Sequence, residues 1–199
     1  DLLKSYIFDP LGMTETSFCL NDAQLRRLMT LYGRQTLHEV PPLRRFKHLL
    51  VEQNPNGSYP TQVSDFRRGG IGLYSTTSDY GKFARMFLNG QSLDGQVLLS
   101  NNSLKMMHGN RISGNKLPLR MGDVLLPGYG WNLSGRVMVD TTKALSTHAT
   151  ANEFGGAGAA STFFWVDPDK QITGVIMTQF IGSNYLLADE MMTAFYASL

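Results

Sequence analysis

The sequence predicts an α+β protein in which an antiparallel β-sheet is flanked by helices. Three observations lead there: capped helix signals fill the first half, a strand-type pattern runs through residues 129–180, and an apolar-striped helix closes the chain at 185–199. With 199 residues, 42% hydrophobic and 17% charged, there is apolar material for one sizeable core, and a single domain over 1–199 is expected. The Pro- and Gly-bearing loops at 33–60 and 111–128 read as excursions of that domain.

Residues 1–8 look like the last turns of a helix whose beginning lies outside the chain. They stop at Asp9-Pro10, because proline pushes the preceding residue out of the helical region. Asn21 as N-cap predicts a helix over 22–32, with Leu25, Leu28 and Met29 at helical spacing and Gly33 at its end. Residues 41–60, carrying Pro41-Pro42 and Asn54-Pro55-Asn56-Gly57, read as surface loop. The strongest helix covers 78–89: Thr76 caps onto Asp79, Tyr80, Phe83, Ala84, Phe87 and Leu88 form one stripe, and Gly90 closes it. Ser100 caps a shorter helix over 101–108, stopped by Gly109. Strands follow at 129–139, 159–166 and 172–180, the last two a hairpin across Asp167-Pro168-Asp169-Lys170. The closing helix is expected to set Leu187, Met191, Ala194, Phe195 and Ser198 against the sheet.

The charge balance, 18 Lys+Arg against 16 Asp+Glu, gives neither nucleic acid nor an anionic membrane as a partner. No stretch approaches the ~18 apolar residues of a membrane span, and no basic-then-apolar leader opens the chain, so it reads as soluble. Cys19 is the single cysteine, so it builds neither an internal disulfide nor a Cys-based zinc site; beside Phe18 and Leu20 it reads as a small buried side chain. The four histidines, His38, His48, His108 and His148, include no i, i+4 pair, and no metal or cofactor is expected. His108 ends a helix, where an imidazolium suits the dipole. Gly-x-Ser-x-Gly is absent, and the single Ser-x-x-Lys, Ser113-Gly114-Asn115-Lys116, falls in a Gly-Asn loop before Pro118 and reads as accidental.

Glycine placement is the remaining signal. Phe154-Gly155-Gly156-Ala157-Gly158-Ala159-Ala160 precedes a strand, so it is no phosphate loop, which would open a helix and carry a lysine. A strand edge without side chains lets a ligand lie near backbone amides, which can hold an oxyanion; a tight turn or crowded packing between sheet and helix would select the same residues. A second cluster, Gly69-Gly70-Ile71-Gly72 after Arg67-Arg68, reads as the entry loop of the strongest helix.

Four stretches, in order, resemble the serine β-lactamase-like family, which includes class C β-lactamases, D-alanyl-D-alanine carboxypeptidases and related carboxylesterases. They are Ile7-Phe8-Asp9-Pro10-Leu11-Gly12-Met13-Thr14-Glu15-Thr16, residues 70–83, Leu93-Asp94-Gly95-Gln96 with Leu98-Leu99-Ser100, and residues 154–179 with Trp165-Val166-Asp167-Pro168 and Met177-Thr178-Gln179. The resemblance implies the C-terminal part of a single serine hydrolase domain. The family's Ser-x-x-Lys and Tyr-x-Asn motifs would then lie before Asp1, in an N-terminal remainder that partners this chain. The family's third motif aligns with Gly156-Ala157-Gly158, which keeps only the last glycine. Without lysine or histidine there, a neutral ester cleaved through an acyl-enzyme is favoured over a β-lactam or peptide terminus. Arg67 or Arg68 would have to supply charge for the latter, and a non-catalytic binding module is the third reading. By the same resemblance the Ala159 amide is the oxyanion donor, Gly156, Ala157 and Gly158 line the substrate, and Ile71 forms pocket wall. The expected partner is a small-molecule ester or amide, and the 199-residue chain alone is expected to be inactive.

Overall fold

Proline and asparagine set the first two elements of the computed structural model, which describes residues 2–34, 50–52, 70, 72–121, 124–144, 148–181 and 186–199. A π-helical turn, Lys4–Phe8, ends near Asp9 and sends Phe8 into the core, but Asp9 keeps helical angles (φ −64°, ψ −50°), so the stop comes from the N–H that Pro10 lacks and not from a displaced Asp9. Helix α1, Asp22–Leu25, starts in a full capping box: the Gln24 N–H donates to Asn21 Oδ1 (2.9 Å) and the Asn21 N–H to Gln24 Oε1 (3.1 Å). It lasts one turn instead of reaching residue 32. Leu25 and Met29 stay exposed, so the stripe that would extend it has nothing to pack against, and Tyr32 joins a strand.

That strand, β1 (Tyr32–Arg34), pairs antiparallel with β2 (Leu50–Glu52). Strand β2 corrects the loop expected over 41–60; the rest of that stretch lies outside the described residues. Helix α2, Thr77–Asn89, matches its expectation within a residue. The Thr76 side chain accepts the Asp79 N–H at 3.2 Å, and Gly90 closes the helix at φ 77°. A Cβ on Gly90 would also sit 2.3 Å from the Leu99 carbonyl oxygen. Helix α3, Asn101–His108, is capped by Ser100, whose hydroxyl accepts the Ser103 N–H at 3.1 Å. His108 does not serve its own helix end: its Nε2 lies 2.7 Å from the Phe87 carbonyl in the last turn of α2, and its ring lies against Phe154.

Strands β3 (Leu119–Met121) and β4 (Val124–Leu126) form a two-stranded antiparallel pair that the sequence reading did not anticipate. The main sheet follows: β5 (Tyr129–Trp131), β6 (Arg136–Met138), β7 (Phe154–Ala157), β8 (Phe163–Asp167) and β9 (Ile172–Ile176), each antiparallel to its neighbour. The continuous strand expected over 129–139 is broken into β5 and β6. Asn132 Oδ1 accepts the N–H groups of Ser134 and Gly135, both at 2.8 Å, and the Asn132 N–H donates to the Gly135 carbonyl, also at 2.8 Å. The hairpin across Asp167-Pro168-Asp169-Lys170 stands in the register Asp167 opposite Ile172. Strand β10 (Phe180–Ile181) leaves the main sheet and runs parallel to β1, a small departure from the all-antiparallel expectation.

Alternation along the strands sorts the core into two layers. Val137, Phe154, Phe164 and Val166 pack with Ala84 and Phe87 of α2 and with Phe8, Leu11 and Met13. Phe163, Trp165 and Ile176 meet the closing helix α4, Leu186–Ala197, through Ala188, Met192 and Tyr196. The sheet is thus flanked by helices, as predicted. The expected face of α4 is out of phase by one residue: Leu187, Met191 and Phe195 are 39%, 46% and 38% exposed. The Tyr196 hydroxyl explains the choice, because it reaches the fully buried Asp167 at 3.0 Å and thereby fixes the helix rotation.

Candidate functional site

The glycine run becomes strand β7 and the turn beyond it. Trp165 and Phe164 on β8 stand opposite Gly155 and Gly156. A Cβ on Gly155 would lie 2.1 Å from the Phe164 carbonyl oxygen, and one on Gly156 2.9 Å from the Phe164 ring. Crowding therefore accounts for these two glycines, but it comes from the neighbouring strand β8 and not from a helix packed on the sheet.

Residues 158–161 form a turn, not the start of β8 expected at 159, and β8 begins only at Phe163. The Ser161 N–H donates to the Gly158 carbonyl at 3.1 Å and the Gly158 N–H to the Thr162 carbonyl at 2.8 Å, with Ser161 at φ 59°. This is the geometry of a three-residue hairpin loop whose last residue is left-handed. Ala157, Gly158 and Ala159 are exposed, and Gly156 and Ala160 are half-buried. Central residues of such a turn point their N–H groups away from the ladder, and among the described residues no acceptor meets the Ala159 N–H.

Behind the turn, the chain at 178–180 holds its carbonyl side. The Thr178 hydroxyl lies 2.9 Å from the Ala160 carbonyl oxygen and 3.1 Å from that of Ser161, the Phe180 N–H donates to the Ala160 carbonyl at 3.2 Å, and the Ser161 hydroxyl donates to the Phe180 carbonyl. The Gly158, Ala160 and Ser161 carbonyls are engaged and the Ala159 amide is left over. Neither Thr178 nor Ser161 stands out in the sequence as a site residue, although Met177-Thr178-Gln179 belongs to the fourth stretch of the family resemblance.

A second assembly ties the turn after Met13 to the entry of α2. Asp79, 2% exposed, accepts from the Glu15 N–H (2.8 Å), the Thr16 hydroxyl (3.0 Å) and the Lys82 ammonium (2.9 Å). Ser17 and Tyr74 form a two-residue bridge beside it. Two stretches of the resemblance are thereby joined in space. Ile71, Arg67 and Arg68 lie outside the described residues. Lys116 is exposed in a single turn of 3-10 helix, Gly114–Lys116, which fits an accidental Ser-x-x-Lys match. Cys19 is half-buried. No group of three or more His, Cys, Asp or Glu side chains able to hold a metal ion comes together among the described residues. No helix among them is long and apolar enough to cross a membrane.

Comparison with known proteins places this geometry among relatives. A family model described as Beta-lactamase matches residues 1–189. Protein Rv1367c of Mycobacterium tuberculosis (strain ATCC 25618 / H37Rv) is 29% identical over 181 residues, covering 89% of this chain and 42% of that protein. The chain thus spans less than half the length of the curated relatives it matches. Among solved structures, EstCE1, described as a hydrolase with promiscuous acyltransferase activity, superposes with TM-score 0.74 at 17% identity, over 98% of this chain and 50% of that one. A simvastatin synthase (LovD) mutant from Aspergillus terreus gives the same TM-score, 0.74, over 98% of this chain and 49% of that one, at 17% identity. A penicillin-binding protein homologue from Caulobacter crescentus gives 0.64 at 19% identity, over 99% of this chain and 52% of that one.

Proposed function

The chain belongs to the beta-lactamase family, and from that premise we propose that it is the C-terminal part of a serine hydrolase that cleaves a neutral ester through an acyl-enzyme. The observation that carries the reading is the Ala159 N–H, unengaged among the described residues, in an exposed turn whose Gly158, Ala160 and Ser161 carbonyls are tied down. A serine hydroxyl from another part of the polypeptide attacks the ester carbonyl. The carbonyl oxygen gains the negative charge and the Ala159 N–H donates to it, together with the nucleophile's own amide. The alcohol leaves with a proton, and water then releases the acid. A donor fixed in this way contributes about 3 kcal/mol to the transition state. On this reading Gly156, Ala157 and Gly158 line the substrate beside the amide, and a Cβ on Gly158 would also lie 2.3 Å from Thr162 Oγ1, so the turn itself selects glycine there.

Two features favour an ester. The motif position offers Gly156-Ala157-Gly158 and no cation for a carboxylate, and EstCE1, a hydrolase with acyltransferase activity, shares the fold. The full-length polypeptide is expected to turn over chromogenic esters and to leave a chromogenic cephalosporin intact. Cephalosporin turnover above ester turnover overturns the substrate assignment, and no turnover of either, with no fluorophosphonate labelling, assigns the fold to a binding module. The 199 residues alone are expected to take no fluorophosphonate label, since an oxyanion donor does not replace a nucleophile.

A further inference from the structure

On the opposite face of the sheet from α2, two carboxylates share one phenol. Glu153 directly precedes β7 and Asp167 ends β8, and the pairing of Phe154 with Val166 sets them side by side. They are 4% and 0% exposed. The Tyr196 hydroxyl arrives from α4, 3.0 Å from Asp167 Oδ2 and 3.4 Å from Glu153 Oε2. That hydroxyl has one hydrogen, and the nearer oxygen takes it. Asp167 also accepts the Lys170 N–H at 2.9 Å and lies 3.6 Å from the Lys170 ammonium, so its demand for donors is met. Glu153 meets the phenol oxygen favourably only if it brings a proton of its own.

We infer that Glu153, Tyr196 and Asp167 form a proton-operated latch: protonated Glu153 donates to the Tyr196 oxygen, Tyr196 donates to Asp167, and loss of the Glu153 proton loosens α4 from the sheet. The surrounding charges fit this. Arg136 of β6 faces the cluster between the Tyr129 and Phe163 rings, 4.8 Å and 4.7 Å from their centroids, with Asp189 of α4 at 3.8 Å. Lys170, from the turn after β8, lies 4.1 Å from the Tyr196 ring centroid and donates to the His148 carbonyl, and the His148 ring stacks on Tyr196. Three carboxylates, Glu153, Asp167 and Asp189, thus face two cations, Arg136 and Lys170, and one proton on Glu153 evens that count. Burial and then the Asp167 charge push the Glu153 carboxyl from 4.5 up to about 7. Tyr196 is pushed upward, first by burial and then by the two carboxylates, so it remains a donor.

The sign follows from proton linkage. The docked state holds the proton more tightly than the undocked one, so docking is strongest at low pH and weakens as pH rises from 4.5 to about 7, then levels off. The test is hydrogen exchange of the α4 amides in the full chain at pH 5 and pH 7.5, corrected for intrinsic exchange. Opening of α4 should increase by roughly tenfold or more over this interval in the wild type and by several-fold less in Glu153→Gln, whose amide donates at every pH. Equal increases in both proteins, or none in the wild type, overturn the inference. Should Glu153→Gln fail to fold, the Glu153 side-chain carboxyl resonance of the wild type decides: a midpoint near 7 supports the latch, and one in the ordinary carboxylate range overturns it.

Discussion

Asp79 and Thr178 each hold backbone from a distance, and substitutions should separate what they support. Asp79→Ala strands the Glu15 N–H and leaves the Thr16 hydroxyl with Ser75 alone and the Lys82 ammonium with the Gly12 carbonyl alone. It should cost about 2 kcal/mol of stability, read as a lowered urea midpoint with an unchanged slope. Thr178 touches the Ala160 and Ser161 carbonyls and lies outside the main hydrophobic layers. Thr178→Val should therefore reduce ester turnover by the full-length polypeptide about tenfold, the equivalent of one lost hydrogen bond. KM should change little and Thr178→Ser should restore the rate. A stability loss with unaltered kcat would assign Thr178 to the fold alone. The glycine run was visible in the sequence, but the reason for each glycine was not. Gly155 and Gly156 answer to the carbonyl and the ring of Phe164, whose position depends on strand register, whereas the Ala159 amide owes its freedom to a turn closed by Gly158 and Ser161.

At the scale of elements, caps were the most legible feature. Thr76, Gly90, Ser100 and Asn21 all stand where sequence chemistry puts them, because each works through residues within one turn. The Asn132 turn was equally local, with Asn132, Ser134 and Gly135 in view, yet the apolar residues around it suggested one unbroken strand. The face of α4 could not be read this way. Two adjacent stripes, Leu187/Met191/Phe195 and Ala188/Met192/Tyr196, are both apolar, and the buried Asp167 selects the second. Met192→Ala should therefore cost about 3 kcal/mol and Leu187→Ala less than about 1 kcal/mol, compared by chemical denaturation. The reverse order would return α4 to the phase the sequence suggested.

For the whole molecule, the three layers leave β9 at one edge of the main sheet among the described residues. An edge of Ile172, Thr173, Gly174, Val175 and Ile176 presents unpaired N–H and C=O groups on a strongly β-forming segment. The 199-residue chain by itself should associate with rising concentration, detected as a concentration-dependent sedimentation coefficient, and a strictly monomeric chain would contradict an open edge. Sequence by itself determined the α+β class, the capped helices, the 167–170 hairpin and the ordered stretches that point to the family. All of these depend on contacts within a few residues or on patterns that local geometry enforces. Only the tertiary structure decided where α1 stops, which face α4 buries, and how residues 178–180 brace the turn that frees the Ala159 amide. Those outcomes rest on side chains far apart in the chain competing for the same buried space and the same hydrogen-bond partners, and no local pattern records who wins that competition.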